Sequence, residues 1–267
     1  PNSSVAEQLG LTPAELRPLL ESLACTVHEQ GGAGQDSTRF PVETLLGLLY
    51  RGRYRVVPQD ISDYLTQQAG LLVSPAPALF YFSHRSFQEH LAACELICRE
   101  PTERRPPLAP DRTFPDGLIR RVLEAPALWR NVAYLAADEL ITQGHEGQTL
   151  LWELLDAFCQ PYVTAQRAPE AAVIALGIAR HHDLFDLHKT DRRYRRDLEP
   201  LRQVALQMLT DIENFTPAER NIAGELLGRH PEHDTRKGVG RRSDGLPDFD
   251  WVQIPETDGQ GRREFIY

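Results

Sequence analysis

The chain has 267 residues, and its 41% of hydrophobic and 25% of charged residues are typical of a globular protein that buries a core. The formal net charge of -9 argues against bulk attraction to nucleic acid or anionic lipid, so we expect neither nucleic acid nor a membrane as a partner. Four cysteines in 267 residues are too few for a disulfide scaffold, and none shows a paired metal spacing such as C-x-x-C. No apolar run reaches the roughly 18 residues that span a bilayer. We therefore predict a cytoplasmic protein. The start at Pro1, without a methionine, suggests a piece of a longer chain.

Three helices are predicted in the first 70 residues. Residues 12–15 read Thr-Pro-Ala-Glu, the pattern of a capping box with proline at the first helical position. Apolar residues then recur at spacings of three and four to about Gln30. A second helix is predicted from Pro41, and a third at about 58–68, where Gly70 follows as a stop signal.

A small β-hairpin is the clearest strand signal before the C-terminal segment, because short apolar runs at 71–73 and 79–82 flank a segment with two prolines. A helix is predicted to follow at about 84–99. Its predicted buried side carries four residues at spacings of four, three and four: Phe87, Leu91, Cys94 and Cys98. Cys94 and Cys98 could present two thiols to a metal, but core packing is the preferred interpretation because both complete this stripe.

The second half of the chain is predicted to be helical as well. Residues 100–115 hold five prolines and many charges, which indicates a linker. Beyond it, apolar periodicity predicts helices at about 116–124, 126–143, 147–159, 168–181, 194–210 and 217–229. Such a series is typical of an α-solenoid or a helical bundle. Residues 216–219 repeat the capping box, and the segments 251–255 and 264–267 predict two strands.

One segment, at residues 82–93, matches the pattern of a known motif. Residues 82–93 read Phe-Ser-His-Arg-Ser-Phe-Gln-Glu-His-Leu-Ala-Ala, similar to the F-x-H-x-S-F-Q-E-Y-x-A-A signature that follows the nucleotide-binding and winged-helix parts of NACHT-type proteins. Residues 64–65 and 69–72 resemble the lead-in of the same proteins, and His90 replaces the usual aromatic residue. The resemblance implies a winged-helix-like region with HEAT-like helices behind a NACHT core, as in bacterial STAND NTPases.

A second segment, residues 245–255, is similar to the G-L-P-x-x-x-W-V-x-I-P lead-in of the formylglycine-generating enzyme (sulfatase-modifying factor) fold. The usual G-x-F-x-M-G continuation is not visible. This resemblance implies the start of a further domain. The alternative function is therefore part of a formylglycine-generating enzyme whose catalytic residues lie beyond Tyr267.

The predicted fold class is mainly α, with a winged-helix-like segment that contains a small β-hairpin, then an α-solenoid or helical bundle, and then a short C-terminal β segment. The predicted domains are a winged-helix-like region at 1–100, a linker at 101–115, a HEAT-like region at 116–230, a linker at 231–245 and a truncated formylglycine-generating-enzyme-like domain at 246–267.

We predict no enzyme activity in this chain. It has no G-x-x-x-x-G-K-[ST] loop, which cradles a triphosphate with backbone N–H groups and a lysine, so ATP and Mg²⁺ are expected only in an upstream core. No catalytic, cofactor-binding or metal residue is assigned. The predicted function is a non-catalytic regulatory and interaction segment that couples an ATP switch to a downstream sensor or effector. Its expected partners are other domains of the same polypeptide, other proteins or a second copy.

Two groups of polar residues are candidates for a site. His84, Arg85, Gln88 and Glu89 occupy the first turns of the predicted helix, where they form either a local cap and salt-bridge network or a contact to another domain. A second group contains three histidines near two aspartates: His181, His182, His188, Asp183 and Asp186. Zinc or hydrolase chemistry is conceivable for this group. Interaction of helix-end histidines with the helix dipole is the preferred interpretation.

Overall fold

The computed structural model describes residues 11–31, 39–51, 57–98, 112–163, 168–190 and 198–236, with residues 242 and 245. The predicted strands after residue 250 and the domain at 246–267 lie outside this part. The described elements are, in chain order, α1 (Pro13–Gln30), β1 (Arg39–Pro41), α2 (Val42–Arg51), α3 (Pro58–Asp63), β2 (Leu72–Ala76), β3 (Leu79–Phe82), α4 (Arg85–Ile97), α5 (Asp116–Glu124), α6 (Pro126–Thr142), α7 (Gly144–Val163), α8 (Pro169–His181), α9 (Leu184–Thr190), α10 (Glu199–Thr210) and α11 (Pro217–Arg229). The prediction of a mainly α fold with a small hairpin is confirmed.

Local signals fix where several helices begin and end. The backbone N–H of Thr12 donates to Glu15 at 2.9 Å, and that of Thr216 donates to Glu219 at 2.9 Å, so both predicted capping boxes form. A π-helical turn, Tyr64–Gln68, extends α3. The chain then leaves the helix through Gly70, whose φ of 61° favours glycine.

The N-terminal elements follow the order α1-β1-α2-α3-β2-β3, which is winged-helix-like. The three strands form an antiparallel sheet in the order β1-β3-β2. Phe40 on β1 pairs in register with Phe80, and its ring also packs against that of Phe82, with centroids 5.9 and 6.0 Å apart. The hairpin is confirmed. Strand β1 was not predicted, because three residues that end in Pro41 carry too little alternation to signal a strand.

The buried residues of helix α4 agree with the predicted stripe only in part, and Cys94 is buried as predicted. Phe87 is 47% exposed, so its predicted core position is wrong, whereas Leu91 is partly buried against the N-terminal core. The buried face consists of Gln88, Glu89, Ala92, Ala93, Cys94, Glu95, Leu96 and Ile97. This helix packs against both α1 and α6. The apolar pattern did not predict that its three polar residues Gln88, Glu89 and Glu95 are buried. A polar side chain is buried at tolerable cost only where partners satisfy it, and such partners are not visible in a local pattern.

Helices α5, α6, α7 and α8 form a bundle, because every pair among these four helices is in contact. A solenoid would leave the first and last of them apart. Helix α8 is central: nine consecutive residues from Ala171 to Ala179 are buried, five of them alanine or glycine. Small side chains let neighbouring helices approach from all sides. The left-handed φ of 48° at Asp183 ends α8 and redirects the chain into α9, which was not predicted.

Contacts divide the chain into two units, Pro1–Val204 and Ala205–Tyr267. In the first unit, α4 packs on α6, so helices from both sides of the predicted linker at 101–115 share one unit. The second unit contains α11 and the short 3-10 turn Pro231–His233 that packs on it. Within the described residues, no helix is both long and apolar enough to cross a bilayer.

Candidate functional site

The four residues predicted to contact another domain lie on different sides of α4. His84 and Arg85 are exposed, and the ring of His84 stands edge-on to that of Phe87 at 5.4 Å. Gln88 and Glu89 are buried. The outward group, defined here as the α4 entry patch, therefore consists of His84, Arg85 and Phe87.

Glu89 links the two sides of α4. Its Oε1 accepts a hydrogen bond from Arg85 Nε at 2.9 Å, and its Oε2 lies 3.5 Å from Nδ2 of Asn131 on α6. Of the local cap and salt-bridge interpretation, the Arg85–Glu89 ion pair is present, whereas the side chain of His84 makes no capping hydrogen bond at the start of α4. The contact to another domain stays a prediction.

A buried ionic network joins the winged-helix-like region to the bundle. Glu29, on the last turn of α1, contacts two guanidinium groups. Arg121 on α5 donates from Nε to Glu29 at 3.0 Å, makes a shorter second bond through Nη2, and donates from Nη1 to the carbonyl of Gly117 at 2.8 Å. Its guanidinium lies 5.6 Å from the ring centre of Trp129, a cation–π distance. The side chain of Arg121 is only 5% exposed, so this charge depends on its contacts with Glu29.

Arg112 extends the ionic network to α4. It donates to Glu29 at 2.7 Å and to Thr26 at 3.1 Å, and its Nη1 lies 3.6 Å from the buried carboxylate of Glu95. Ser22 donates to the same Glu95 oxygen at 2.8 Å. Burial opposes the charge of Arg112, but its acidic neighbours hold the pKa of the guanidinium above its usual value. Three helices are therefore tied together by charge-assisted hydrogen bonds.

His28 lies beside this network in its neutral form. Its Nε2 donates to the carbonyl of Leu128 at 3.1 Å, and its ring stands edge-on to that of Trp129 at 4.6 Å. Burial lowers the pKa of His28 below its usual 6.5, against smaller opposing effects of the Leu128 carbonyl and Glu89. The neutral ring matches this geometry, because a protonated Nδ1 would lie buried without an acceptor.

His28 should make the protein less stable in mild acid. Its pKa is lower in the folded than in the unfolded chain, so the unfolded chain binds more protons below about pH 6.5 and folding stability falls as pH falls. We expect His28→Gln, which keeps an amide donor for Leu128, to flatten this dependence between pH 7 and 5 in urea titrations. If the free energy of unfolding of the variant falls with pH as steeply as that of the unmodified protein, groups other than His28 cause the loss of stability in acid.

Sequence reasoning missed the residues of this network. Arg121 lies one helical turn after Leu118 and just before Val122, and both of these residues are fully buried. An arginine on an apolar stripe was therefore the signal in the sequence that could have indicated a buried charge. Glu29 carried no such signal. Its partner Arg121 is 92 positions away, and only the fold brings them together.

The predicted histidine cluster gains its carboxylate from another helix. Nε2 of His182 lies 3.0 Å from Oδ1 of Asp138 on α6, and Nε2 of His181 lies 3.8 Å from the same atom. The predicted partners were Asp183 and Asp186, but the carboxylate that faces both rings is that of Asp138. The side chain of His188 lies outside the described part of the chain.

A second cluster contains one of the two cysteines considered above. His90 and Cys94 on α4 and Glu139 on α6 place three potential ligand atoms within 4.8 Å of one another. Burial raises the pKa of the Cys94 thiol to about 11, so it is protonated at neutral pH. The Arg17 guanidinium lies 3.7 Å from Cys94 and 3.9 Å from Glu139, which places a positive charge at this cluster. Within it, Sγ of Cys94 lies 3.7 Å from Nε2 of His90.

The described part of the chain is thus mainly helical, and an ionic network connects its winged-helix-like region to its helical bundle. Comparisons with known protein families, curated proteins and solved structures gave no match. The resemblances to NACHT-type ATPases and to the formylglycine-generating fold therefore remain predictions.

Proposed function

We propose that this chain is a non-catalytic regulatory and interaction segment of a NACHT-type signalling NTPase. In this role it couples an upstream ATP switch to a downstream sensor or effector module. The observation that supports the proposal best is the position of α4. This helix carries the signature-like segment, exposes its first turn, and buries its opposite face between α1 and α6.

Helix α4 has the contacts that a coupling element needs. Glu89 is held by Asn131 of the bundle, and Glu95 is held by Ser22 of α1 and by Arg112. A displacement at the exposed end of α4 would have to break these charged contacts or carry the neighbouring helices with it. Packed helices of this kind move as bodies rather than deform continuously.

The α4 entry patch has the chemistry of a docking surface. It combines a half-exposed aromatic ring with the guanidinium of Arg85, which is 52% exposed. Aromatic residues and arginine are enriched at protein interfaces. Other domains of the same polypeptide are the partners that we propose for this surface, with cytoplasmic signalling as the setting.

Two of the described thiols, those of Cys25 and Cys159, favour a structural role over a catalytic one. Burial raises the pKa values of Cys25 and Cys159, and a protonated buried thiol is a poor nucleophile. Together with the missing phosphate loop, this supports a segment that transmits a signal and performs no chemistry. Calorimetry of the chain with ATP and Mg²⁺ should show no heat of binding, and micromolar affinity would contradict the proposal.

Site-specific photo-crosslinking in the polypeptide that contains the ATPase core tests the coupling role. A benzophenone amino acid at position 87 should crosslink to another domain of the same polypeptide, with a yield that differs between ATP and ADP. The matched control is position 123 on α5, where Leu123 is similarly exposed at 42%. Equal yields at the two positions, or no dependence on nucleotide, would contradict the coupling role.

A further inference from the structure

We propose that Asp138, His181 and His182 form a binding site for a divalent transition metal ion, with zinc as the ion of best fit. The site lies where α8 ends against α6, within the first unit of the chain. It is independent of the proposed coupling role and does not require an ATPase partner.

The backbone explains why two consecutive histidines can face one point. Neighbouring residues within a helix point about 100° apart. His181 is the last residue of α8, whereas His182 has φ -95° and ψ 4° and has left the regular helix. The two rings therefore converge, with centroids 4.7 Å apart and planes inclined at 80°.

The three potential ligand atoms already lie close together. They are all within 4.8 Å of one another, and Nε2 of His182 is 3.0 Å from Oδ1 of Asp138. Tetrahedral zinc with bonds of about 2.0–2.1 Å separates its ligand atoms by roughly 3.3 Å. Small side-chain rotations would bring the most distant ligand atoms from within 4.8 Å to the separation that zinc requires, without movement of either helix.

The donor set and its surroundings favour a cation. Two imidazole nitrogens and one carboxylate oxygen are ligands that zinc accepts, and three protein ligands leave a fourth position for water. The site is at the C-terminal end of α8, where the helix dipole is negative. The side chains of Asp138 and His181 are 46% and 63% exposed, so an ion can reach them from solvent.

The second cluster is a weaker candidate for the same ion. Arg17 contacts both Cys94 and Glu139, so a metal would have to displace or repel a guanidinium. The thiol of Cys94 would also have to lose its proton against a raised pKa. At Asp138, by contrast, the carboxylate faces the two imidazoles of His181 and His182, and the site needs no thiol to lose a proton. The alternative to a metal there is a direct contact between Asp138 and His182 at 3.0 Å, which lacks the geometry of a hydrogen bond.

Metal titration of the full chain tests the proposal, with Zn²⁺ in calorimetry and Co²⁺ in visible absorption. We expect one equivalent of Zn²⁺ with a Kd near or below about 10 µM and a Co²⁺ spectrum typical of nitrogen and oxygen ligands. His181→Ala and Asp138→Asn should each weaken binding by about tenfold or more. His181 is well exposed, so its variant should keep the fold, which circular dichroism checks.

Two matched variants separate this site from its competitors. His145→Ala removes an exposed histidine at the start of α7, and His90→Ala removes a ligand of the second cluster. Both should leave the Zn²⁺ affinity unchanged. Loss of binding in His90→Ala alone, an unchanged affinity in His181→Ala and Asp138→Asn, or no detectable binding to the unmodified chain would each overturn the proposal.

Discussion

Replacing Glu29 with alanine is expected to lower the free energy of unfolding by about 3 kcal/mol, the low end of the range for breaking a buried ion pair. The change removes the carboxylate that both Arg112 and Arg121 contact, and Arg121 is almost fully buried. A guanidinium without its carboxylate then keeps the full desolvation cost. Because 28% of the Glu29 side chain is exposed, water can reach the site and solvate the arginines in part. We therefore expect a loss at the low end of the range and not above it. Urea denaturation of the two proteins measures the difference.

Helix α5 supplies the matched control. Arg120 and Glu124 form an ion pair at 3.7 Å on its outer surface, with side chains 46% and 63% exposed. Glu124→Ala should therefore change stability by about 0.5 kcal/mol or less. Replacing Glu29 and Arg121 together by methionine and leucine should recover much of the loss, since a buried pair can be exchanged for apolar packing. Equal losses for Glu29→Ala and Glu124→Ala would show that the ionic network does not hold the two regions together.

Phe40→Ala is expected to cost about 3–5 kcal/mol, the usual range for a buried aromatic side chain. Phe40 is 1% exposed and fills the space between Phe80 and Phe82. Its loss would leave a cavity and remove the aromatic contacts that join β1 to the hairpin. Such contacts add about 0.5–1.5 kcal/mol per pair beyond buried area. Thermal and urea unfolding, monitored by circular dichroism, would measure this loss.

Phe87→Ala is the control for the same change at a different position. The ring is 47% exposed and rests on His84, so we expect a loss below about 1 kcal/mol. A loss as large as that of Phe40→Ala would mean that Phe87 belongs to the core after all. A small loss would leave Phe87 available for the docking role proposed for the α4 entry patch.

Local chemistry allowed much of the secondary structure to be predicted. The Thr–x–x–Glu patterns at residues 12–15 and 216–219 began two helices at the predicted positions, because a capping box needs only four consecutive residues. Gly70 marked the end of a helix, since few other residues adopt its positive φ. The hairpin and the bundle helices followed from their apolar periodicity.

The tertiary structure decided which polar residues are buried and what they contact. Helical spacing placed Phe87 on the core side of α4, but the buried face extends past Cys94 to Glu89 and Glu95, whose carboxylates contact other helices or Arg112, and Phe87 is left outside. Likewise, the sequence around His182 offers two nearby aspartates, whereas its partner is Asp138 on another helix. A side chain's burial depends on whether a distant group satisfies its charge, and only the folded chain brings such groups within hydrogen-bonding distance.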